Sequence, residues 1–289
     1  ILSLLLALPG AYFFGRYDFP GKRSLRSALT LPFMLPGILV VLGMVVFYGQ
    51  NGFFNRLLTQ ALPESGWKFT GLYGFWGIIL AHVFYNFPFC LRMLGESWER
   101  IDPKLREASM TLGGSPFYTW SRVTLPHLAP SMAYLFMLVF LYSFLSFTIP
   151  LVLGGFLYKT FEVLIYIEYN VKLQFDQAAL LAGVQLLILA GVLYLQTFFS
   201  GRLRRQDTFT PELPRLNCRR YPLALAIFLI YLAFIFFFFF GPLVVLFFQS
   251  FKARGLLEGR LTGQNYGLLF SEGFRFAVGQ DLLTVFGVS

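Results

Sequence analysis

The segment AALLAGVQLLILAGVLYLQTFFS, residues 178–200, contains no Asp, Glu, Lys or Arg. A helix of about 20 apolar residues is long enough to cross the ~30 Å hydrocarbon core of a bilayer. Lipid offers no partner for backbone N–H and C=O groups, so such a segment must satisfy its own hydrogen bonds as a helix. The segment therefore predicts a membrane-spanning α-helix.

Similar apolar blocks recur along the chain. They cover residues 1–15, 27–49, 72–95, 128–154, 178–200 and 222–249, and a further block begins near residue 280. Only 13% of the residues are charged, whereas soluble domains carry about 25%. We therefore predict an all-α, polytopic transmembrane helical bundle with about six membrane helices and the start of a seventh.

The positive charge of the chain, +9 overall, lies mainly in alternate loops. Loops 16–26, 96–127 and 201–221 hold fourteen Lys and Arg residues, whereas loops 50–71, 155–177 and 250–279 hold eight. Cytoplasmic loops of membrane proteins are enriched in Lys and Arg. We predict that the first set is cytoplasmic and that the chain has the lipid bilayer, and no nucleic acid, as a partner.

Loop 96–127 has a pattern of its own, ESWERIDPKLREASMTLGGSPFYTWSRVTLP for residues 96–126. Asp102-Pro103 is typical of a helix start, with Asp as N-cap and Pro in the first turn. Gly113-Gly114 can end that helix, Ser115-Pro116 can start a second one, and Leu125-Pro126 is expected to turn the chain into the next membrane helix. This pattern predicts a helix–Gly turn–helix element. It suits either an amphipathic element on lipid headgroups or a docking element for a partner protein.

The same loop resembles the EAA loop of ABC importer permeases. Glu107-Ala108-Ser109 is followed after three residues by Gly113, and Val123-Thr124-Leu125-Pro126 follows after nine more. The sequence departs from the family pattern in having Ser109 for the second Ala and Val123 for Ile. The resemblance implies that Glu107–Pro116 forms a coupling helix seated in a cleft of a separate ATPase subunit.

The resemblance also implies partners and a location. The partners would be two ABC ATPase subunits, which bind ATP and Mg, and a periplasmic or lipoprotein substrate-binding protein. The protein would lie in the bacterial inner (cytoplasmic) membrane as a multi-pass permease without enzyme activity, catalytic residues, metal ligands or a cofactor of its own. In agreement, no Gly-x-x-x-x-Gly-Lys-Ser/Thr motif occurs in the sequence. The resemblance assigns ATPase coupling to Glu107, Ala108, Ser109, Gly113, Pro116, Leu125 and Pro126.

Within this family the stretches 31–58, 72–94 and 153–187 are similar to the first half of thiamine importer permeases and their iron(III) relatives. Those permeases fuse two halves in one chain. The resemblance implies a first half at 1–200 that is cut at its N-terminus, a cytoplasmic linker at 201–221, and the start of a second half at 222–289. It implies thiamine as the solute, with iron(III) as the alternative.

Polar or aromatic side chains inside the apolar blocks are candidates for the translocation path. Such groups in membrane helices tend to face the bundle interior, although each can instead form a helix–helix hydrogen bond. His82 and Asn86 are four residues apart and share a helix face. The candidates are His82, Tyr85, Asn86, Ser143, Ser146, Thr148 and Gln185.

Other functional classes are less well supported by the sequence. An ion-coupled secondary transporter, the alternative from another class, usually keeps carboxylates within its helices, whereas here almost every Asp and Glu lies in a loop. An intramembrane enzyme needs a nucleophile–base pair or metal ligands, and His82 and His127 lie in different elements. A channel would need a filter-like repeat or a charged ring, and the sequence shows neither pattern.

Overall fold

The computed structural model describes residues 1–64, 66–155, 157–203, 213–216, 221–252, 262–263 and 266–267, with only the backbone given for 199–203. These residues are mostly helical and include no β-strand; an isolated bridge joins Asp18 to Arg215. The predicted all-α fold is confirmed.

Fourteen α-helices are found in the described residues, and three of them pass into a π-helical turn. In chain order they are α1 (Leu2–Arg16), α2 (Lys22–Ala28), α3 (Leu31–Met34), α4 (Gly37–Tyr48), α5 (Phe53–Ala61), α6 (Phe75–Glu99), α7 (Pro103–Thr111), α8 (Pro116–Thr119), α9 (Leu125–Phe144), α10 (Thr148–Leu153), α11 (Phe161–Tyr166), α12 (Phe175–Leu203), α13 (Pro222–Ile235) and α14 (Gly241–Ser250). The π-helical turns are Trp120–Thr124, Ile167–Val171 and Phe236–Phe240.

Five helical segments of the described chain are long and apolar enough to cross a membrane. They are Gly37–Ala61, Phe75–Glu99, Pro116–Phe144, Phe175–Phe198 and Pro222–Ser250, and Leu2–Arg16 is a shorter apolar helix. These six segments overlap the six predicted blocks, but two are displaced: Gly37–Ala61 lies against the predicted 27–49, and Pro116–Phe144 against the predicted 128–154. The block predicted near residue 280 lies outside the described residues.

The second predicted block does not form one continuous helix. Residues 27–49 contain the end of α2, the short α3 and then α4, which begins at Gly37. Leu35 is extended, with φ −74° and ψ 140°, because the residue before a proline, here Pro36, is driven out of the α region. Beyond this block, loop 50–71 contains helix α5.

Leu125-Pro126 does not turn the chain, so that part of the sequence prediction is wrong. The backbone stays helical from α8 through the turn Trp120–Thr124 into α9. A proline cannot donate a backbone hydrogen bond to the carbonyl four residues earlier, and its ring clashes with that carbonyl. The wide π-helical turn just before Pro126 accommodates both effects without ending the helix. The break comes later, between Phe144 and Thr148.

The residues pack into two compact units. One comprises Ile1–Val41 and Phe69–Phe236, and the other comprises Leu42–Lys68 together with the described residues from Phe237 onward. Packing within one chain does not test a division into fused permease halves. The assignment of 1–200, 201–221 and 222–289 therefore stays a prediction.

In the second unit, aromatic rings supply the packing. The Tyr48 hydroxyl donates to the Phe238 carbonyl at 3.1 Å, and the Phe47 ring lies 5.6 Å from the Phe237 ring. A Cβ on Gly241 would lie 2.7 Å from Phe47, so this position admits the ring only because it lacks a side chain. Part of the Phe236–Phe240 run thus fills the interior of its own unit.

In the first unit, α1 and α6 pack closely because small residues face large ones. A Cβ on Gly15 would overlap the Trp98 side chain, and a Cβ on Gly95 would lie 3.0 Å from Phe14. Phe14 is 1% exposed. The two helices therefore form a tightly packed pair over most of the length of α1.

The substitution Gly15→Ala tests this packing. Its added methyl group has no room beside Trp98, and we expect it to lower the free energy of unfolding by about 1–3 kcal/mol. Thermal unfolding in detergent micelles measures the effect. Gly191→Ala on α12 is the matched control, because nothing lies within 4 Å of the added atom. Equal unfolding temperatures for the two variants would contradict the proposed close contact.

Candidate functional site

The predicted helix–Gly turn–helix element is present, and we refer to residues 102–119 as the 102–119 hairpin. Asp102 caps α7 by accepting the Lys104 amide at 2.9 Å. Gly113 has φ +85°, a conformation that favours glycine. Ser115 caps α8 by accepting the Tyr118 amide at 3.2 Å. The two predicted helix starts and the predicted glycine turn between them are confirmed.

Ser109 holds the two arms of the hairpin together. Its hydroxyl lies 2.8 Å from that of Thr119, which is 2% exposed, and its carbonyl accepts the Gly114 amide at 2.9 Å. A Cβ on Gly114 would lie 2.8 Å from Ser109. The serine that departs from the EAA pattern therefore forms a hydrogen bond that alanine cannot form.

The outer edge of the hairpin is apolar and exposed. Leu112 is 88% exposed and Phe117 is 75% exposed, and Leu105 and Tyr118 are also exposed. Ala108, beside them on α7, is exposed and small. Contiguous exposed apolar groups on a structured element mark surfaces that bind a protein or a membrane.

The inner face of α7 borders a cavity of about 770 Å³. Arg106 and Glu107 line it from α7, and Tyr12, Arg16 and Trp98 line it from the ends of α1 and α6. Glu107 is also exposed at the surface. It therefore lies where the outer edge of the hairpin meets the cavity.

Two aromatic rings lie beside the Arg16 guanidinium at this cavity. The guanidinium donates to the Tyr12 hydroxyl at 2.7 Å and lies 5.3 Å and 5.6 Å from the ring centres of Tyr12 and Tyr17. Burial raises the pKa of Tyr17 to about 12. Tyrosine and arginine side chains at a helix end are typical of the membrane–water boundary.

The hairpin is continuous with two membrane helices. Arg100 and Ile101 separate it from the end of α6, and the turn Trp120–Thr124 joins it to α9. A displacement of the hairpin therefore acts directly on both helices.

Within the membrane helices, three of the candidate path residues come together. Asn86 on α6 donates to the Ser143 hydroxyl on α9 at 3.3 Å and to the His82 carbonyl at 2.9 Å. His82 Nδ1 lies 2.8 Å from the Ile78 carbonyl. The Asn86–Ser143 bond joins α6 to α9, as expected for polar groups between membrane helices, whereas the other two bonds lie within α6.

This cluster is not fully satisfied. In the described part of the chain, His82 Nε2 and Asn86 Oδ1 are buried without a hydrogen-bond partner, and Asn86 is 0% exposed. An unmade hydrogen bond to a buried polar group costs about 1–3 kcal/mol. These two atoms can form hydrogen bonds with water, with a solute, or with other protein groups if the helices rearrange.

Tyr85 belongs to a neighbouring cluster of aromatic rings. The Phe33 ring centre lies 5.5 Å from that of Tyr85, 5.0 Å from Phe89 and 5.2 Å from Tyr142. Residues 85 and 86 are adjacent on α6, and residues 142 and 143 are adjacent on α9, so the aromatic and polar clusters lie at the same level of this helix pair.

The remaining candidates lie elsewhere. Ser146 is in the break between α9 and α10, and Thr148 begins α10 near Gly37. Gln185 donates to Glu162 at 2.7 Å, which joins α12 to α11. The structure therefore supports a common cluster for His82, Asn86 and Ser143, whereas Gln185 has a different partner.

Several contact residues were missed by sequence reasoning. Thr119 and Phe33 carry no motif, and no spacing rule relates Thr119 to Ser109 or Phe33 to Tyr142. Lys22 and Arg26 were assigned only to a basic loop, although their four-residue spacing on a short helix indicates a shared face. Cys90 is a buried free thiol, and Cys218 lies outside the described residues.

Removal of the Ser109 hydroxyl tests whether it fixes the hairpin. Ser109→Ala leaves the buried Thr119 hydroxyl without its partner, and we expect Gly114 and its neighbours to exchange amide hydrogens roughly tenfold faster. Hydrogen exchange with mass spectrometry measures this rate. Thr111→Ala is the control, because among the described residues that hydroxyl bonds to a carbonyl of its own helix alone, Glu107 O at 2.9 Å. An equal increase in both variants would refute a specific role for Ser109.

Comparison with known proteins places these features in a family. The family model described as "Binding-protein-dependent transport system inner membrane component" matches residues 7–241. The sulfate transport system permease protein CysW of Synechococcus elongatus is 31% identical over 212 residues, which cover 71% of this chain and 71% of that protein.

Two further relatives are much longer proteins. The thiamine transport system permease protein ThiP of Escherichia coli is 32% identical over 67% of this chain and 37% of its own length. The ferric transport system permease protein FbpB of Actinobacillus pleuropneumoniae is 30% identical over 84% of this chain and 35% of its own length. The chain thus spans little more than a third of these two relatives.

Proposed function

We propose, because this chain belongs to the family of binding-protein-dependent transport system inner membrane components, that it forms part of the solute path of an ATP-driven importer. Members of this family are transport permease components and not enzymes. The chain is accordingly a multi-pass membrane protein of an ABC importer.

The partners that we propose follow from this function. Two ATPase subunits bind ATP and Mg and dock on the cytoplasmic side of the bacterial inner membrane. A periplasmic or lipoprotein binding protein delivers the solute to the other side. This chain itself needs no bound cofactor, because nucleotide chemistry takes place in the ATPase.

The observation that carries the proposal is the exposed apolar edge of the 102–119 hairpin. Leu112 and Phe117 project from an element that the Ser109–Thr119 hydrogen bond holds in one shape. The small Ala108 lets a partner approach α7 closely. A rigid element that continues into α6 and α9 can transmit movement of the ATPase into the membrane as a rigid-body change.

Two substitutions test docking. Leu112→Ala is expected to weaken ATPase binding about tenfold, since a buried apolar anchor at an interface contributes on the order of 1–2 kcal/mol. Glu107→Lys is expected to weaken it as well, through the wrong charge at the edge of the contact. The affinity of the purified permease for its ATPase is the quantity to measure.

The matched control is Leu157→Ala. Leu157 is 87% exposed, nearly the same as Leu112, but it lies in loop 155–177, which we predict on the opposite side of the membrane. Unchanged affinity for Leu112→Ala and Glu107→Lys alike would rule out docking through the hairpin.

Thiamine is the solute that we propose. Its positively charged thiazolium ring and its pyrimidine ring suit the faces of Phe33, Tyr85 and Tyr142, since aromatic rings attract cations and stack on other rings. The neutral polar residues Asn86 and Ser143, which bond to each other, are the chain neighbours of Tyr85 and Tyr142. Sulfate would favour arginine or helix N-termini, and iron(III) would favour oxygen anions. The side chains named for the two clusters include no arginine and no carboxylate.

Uptake into proteoliposomes discriminates among the three solutes. We expect ATP-dependent uptake of labelled thiamine and no uptake of labelled sulfate or iron(III), each with its own binding protein present. Tyr85→Leu should slow thiamine uptake roughly threefold to thirtyfold through the lost cation–π contact. Tyr194→Leu is the control, because Tyr194 is largely exposed on α12. Uptake of sulfate or iron(III) instead would reject thiamine and leave the importer function intact.

A further inference from the structure

A set of charged and polar side chains joins α2 to α6. Glu99 Oε1 lies 2.6 Å from Lys22 Nζ and 2.9 Å from Arg26 Nη2. The side chain of Lys22 is 9% exposed and that of Glu99 is 22% exposed. This is a partly buried cluster with one carboxylate between two cations.

A second contact continues the same line. Arg92 Nη1 donates to the Thr30 hydroxyl at 3.0 Å, and that hydroxyl donates to the Arg26 carbonyl at 3.3 Å. Residues 92 and 99 share one face of α6, and residues 22, 26 and 30 share one side of α2 and the turn after it. We call Lys22, Arg26, Thr30, Arg92 and Glu99 the α2–α6 polar ladder.

The ladder lies at the point where the 102–119 hairpin meets the membrane helices. Glu99 is the last residue of α6, and Asp102, the N-cap of α7, follows only three positions later. A force on the hairpin therefore reaches α6 at Glu99 first. Lys22 and Arg26 of α2 pair with Glu99 and so connect α2 to this end of α6. Helix α1 packs on α6 at Gly15.

We infer that Glu99 is a positioning residue that transmits movement of the hairpin to α1 and α2, so that α1, α2 and α6 move together during each transport cycle. This inference rests on the proposed importer function. Without Glu99, Lys22 remains a largely buried cation whose only other bond within the described part of the chain is to the Tyr17 carbonyl at 3.0 Å. An uncompensated buried charge is strongly unfavourable, so α2 would separate from α6.

The experiment measures how much solute is transported for each ATP hydrolysed. It uses proteoliposomes that contain the complete permease with its ATPase and binding protein. Labelled thiamine is the probe, and labelled sulfate or iron(III) replaces it if the wild type carries one of those. For Glu99→Gln we expect ATPase binding and ATP hydrolysis within about twofold of wild type, but about tenfold less solute per ATP, a size usual for coupling between sites.

The matched control is Glu96→Gln, which removes the same charge from the same helix. Glu96 pairs only with Arg92 one turn away on α6, at 3.1 Å, and not with α2 among the described residues. We expect a ratio within about twofold of wild type, because a pair four residues apart within one helix does not join two helices and contributes little. An equal loss in Glu96→Gln and Glu99→Gln would overturn the inference.

Lys22→Gln provides a test from the other helix. It keeps the Arg26–Glu99 pair and is expected to lower the transport ratio by less than Glu99→Gln does. If Glu99→Gln fails to assemble, the transport ratio of Lys22→Gln tests the inference instead. A wild-type ratio in Glu99→Gln, or in Lys22→Gln when that variant must stand alone, overturns the inference. A wild-type complex that carries none of the three solutes overturns the proposed function itself.

Discussion

A peptide group inside hydrocarbon has no water with which to form a hydrogen bond, and this constraint governs the whole chain. Each apolar block must pair its backbone groups internally, and the described residues do so as helices. One interruption follows from a proline, because Pro36 drives the preceding residue, Leu35, out of the helix. At Pro126 the same difficulty is met by a wider π-helical turn, and the helix continues.

Helix α6 connects the functional features of the first unit. Its middle carries His82, Tyr85 and Asn86 and bonds α9 through Ser143. Its last turns pack on α1 at Gly15 and pair with α2 at Glu99. Beyond Ile101 it leads into the 102–119 hairpin, whose other end continues into α9. One helix thus links the surface proposed for ATPase docking to the cluster proposed for the solute path.

The hairpin shows how a polar bond and an apolar surface divide their roles. The Ser109–Thr119 bond lies inside the element and fixes the angle between its two arms. Leu112 and Phe117 lie outside and give that fixed shape an apolar surface. The inner face of α7 borders a cavity, so α7 has space on the side that faces the ends of α1 and α6.

Local chemistry made the apolar helices and the 102–119 hairpin predictable from the sequence. Hydropathy over one helix length predicted the six apolar segments, and the caps at Asp102 and Ser115 and the turn at Gly113 predicted the hairpin, because each depends on neighbours within a few residues. The break at Pro36 and the continuous helix at Pro126 were missed, since proline can end a helix or be accommodated by a π-helical turn, and packing decides between these outcomes.

The contacts that give the site its shape join residues far apart in the chain. Arg26 and Glu99 are 73 positions apart, and Asn86 and Ser143 are 57 apart, so no local pattern specifies either pair. The sequence by itself determined the membrane class, the helices and the likeness to ABC importer permeases. Only the tertiary structure decided which side chains meet, because that depends on how α1, α2, α6 and α9 pack against one another.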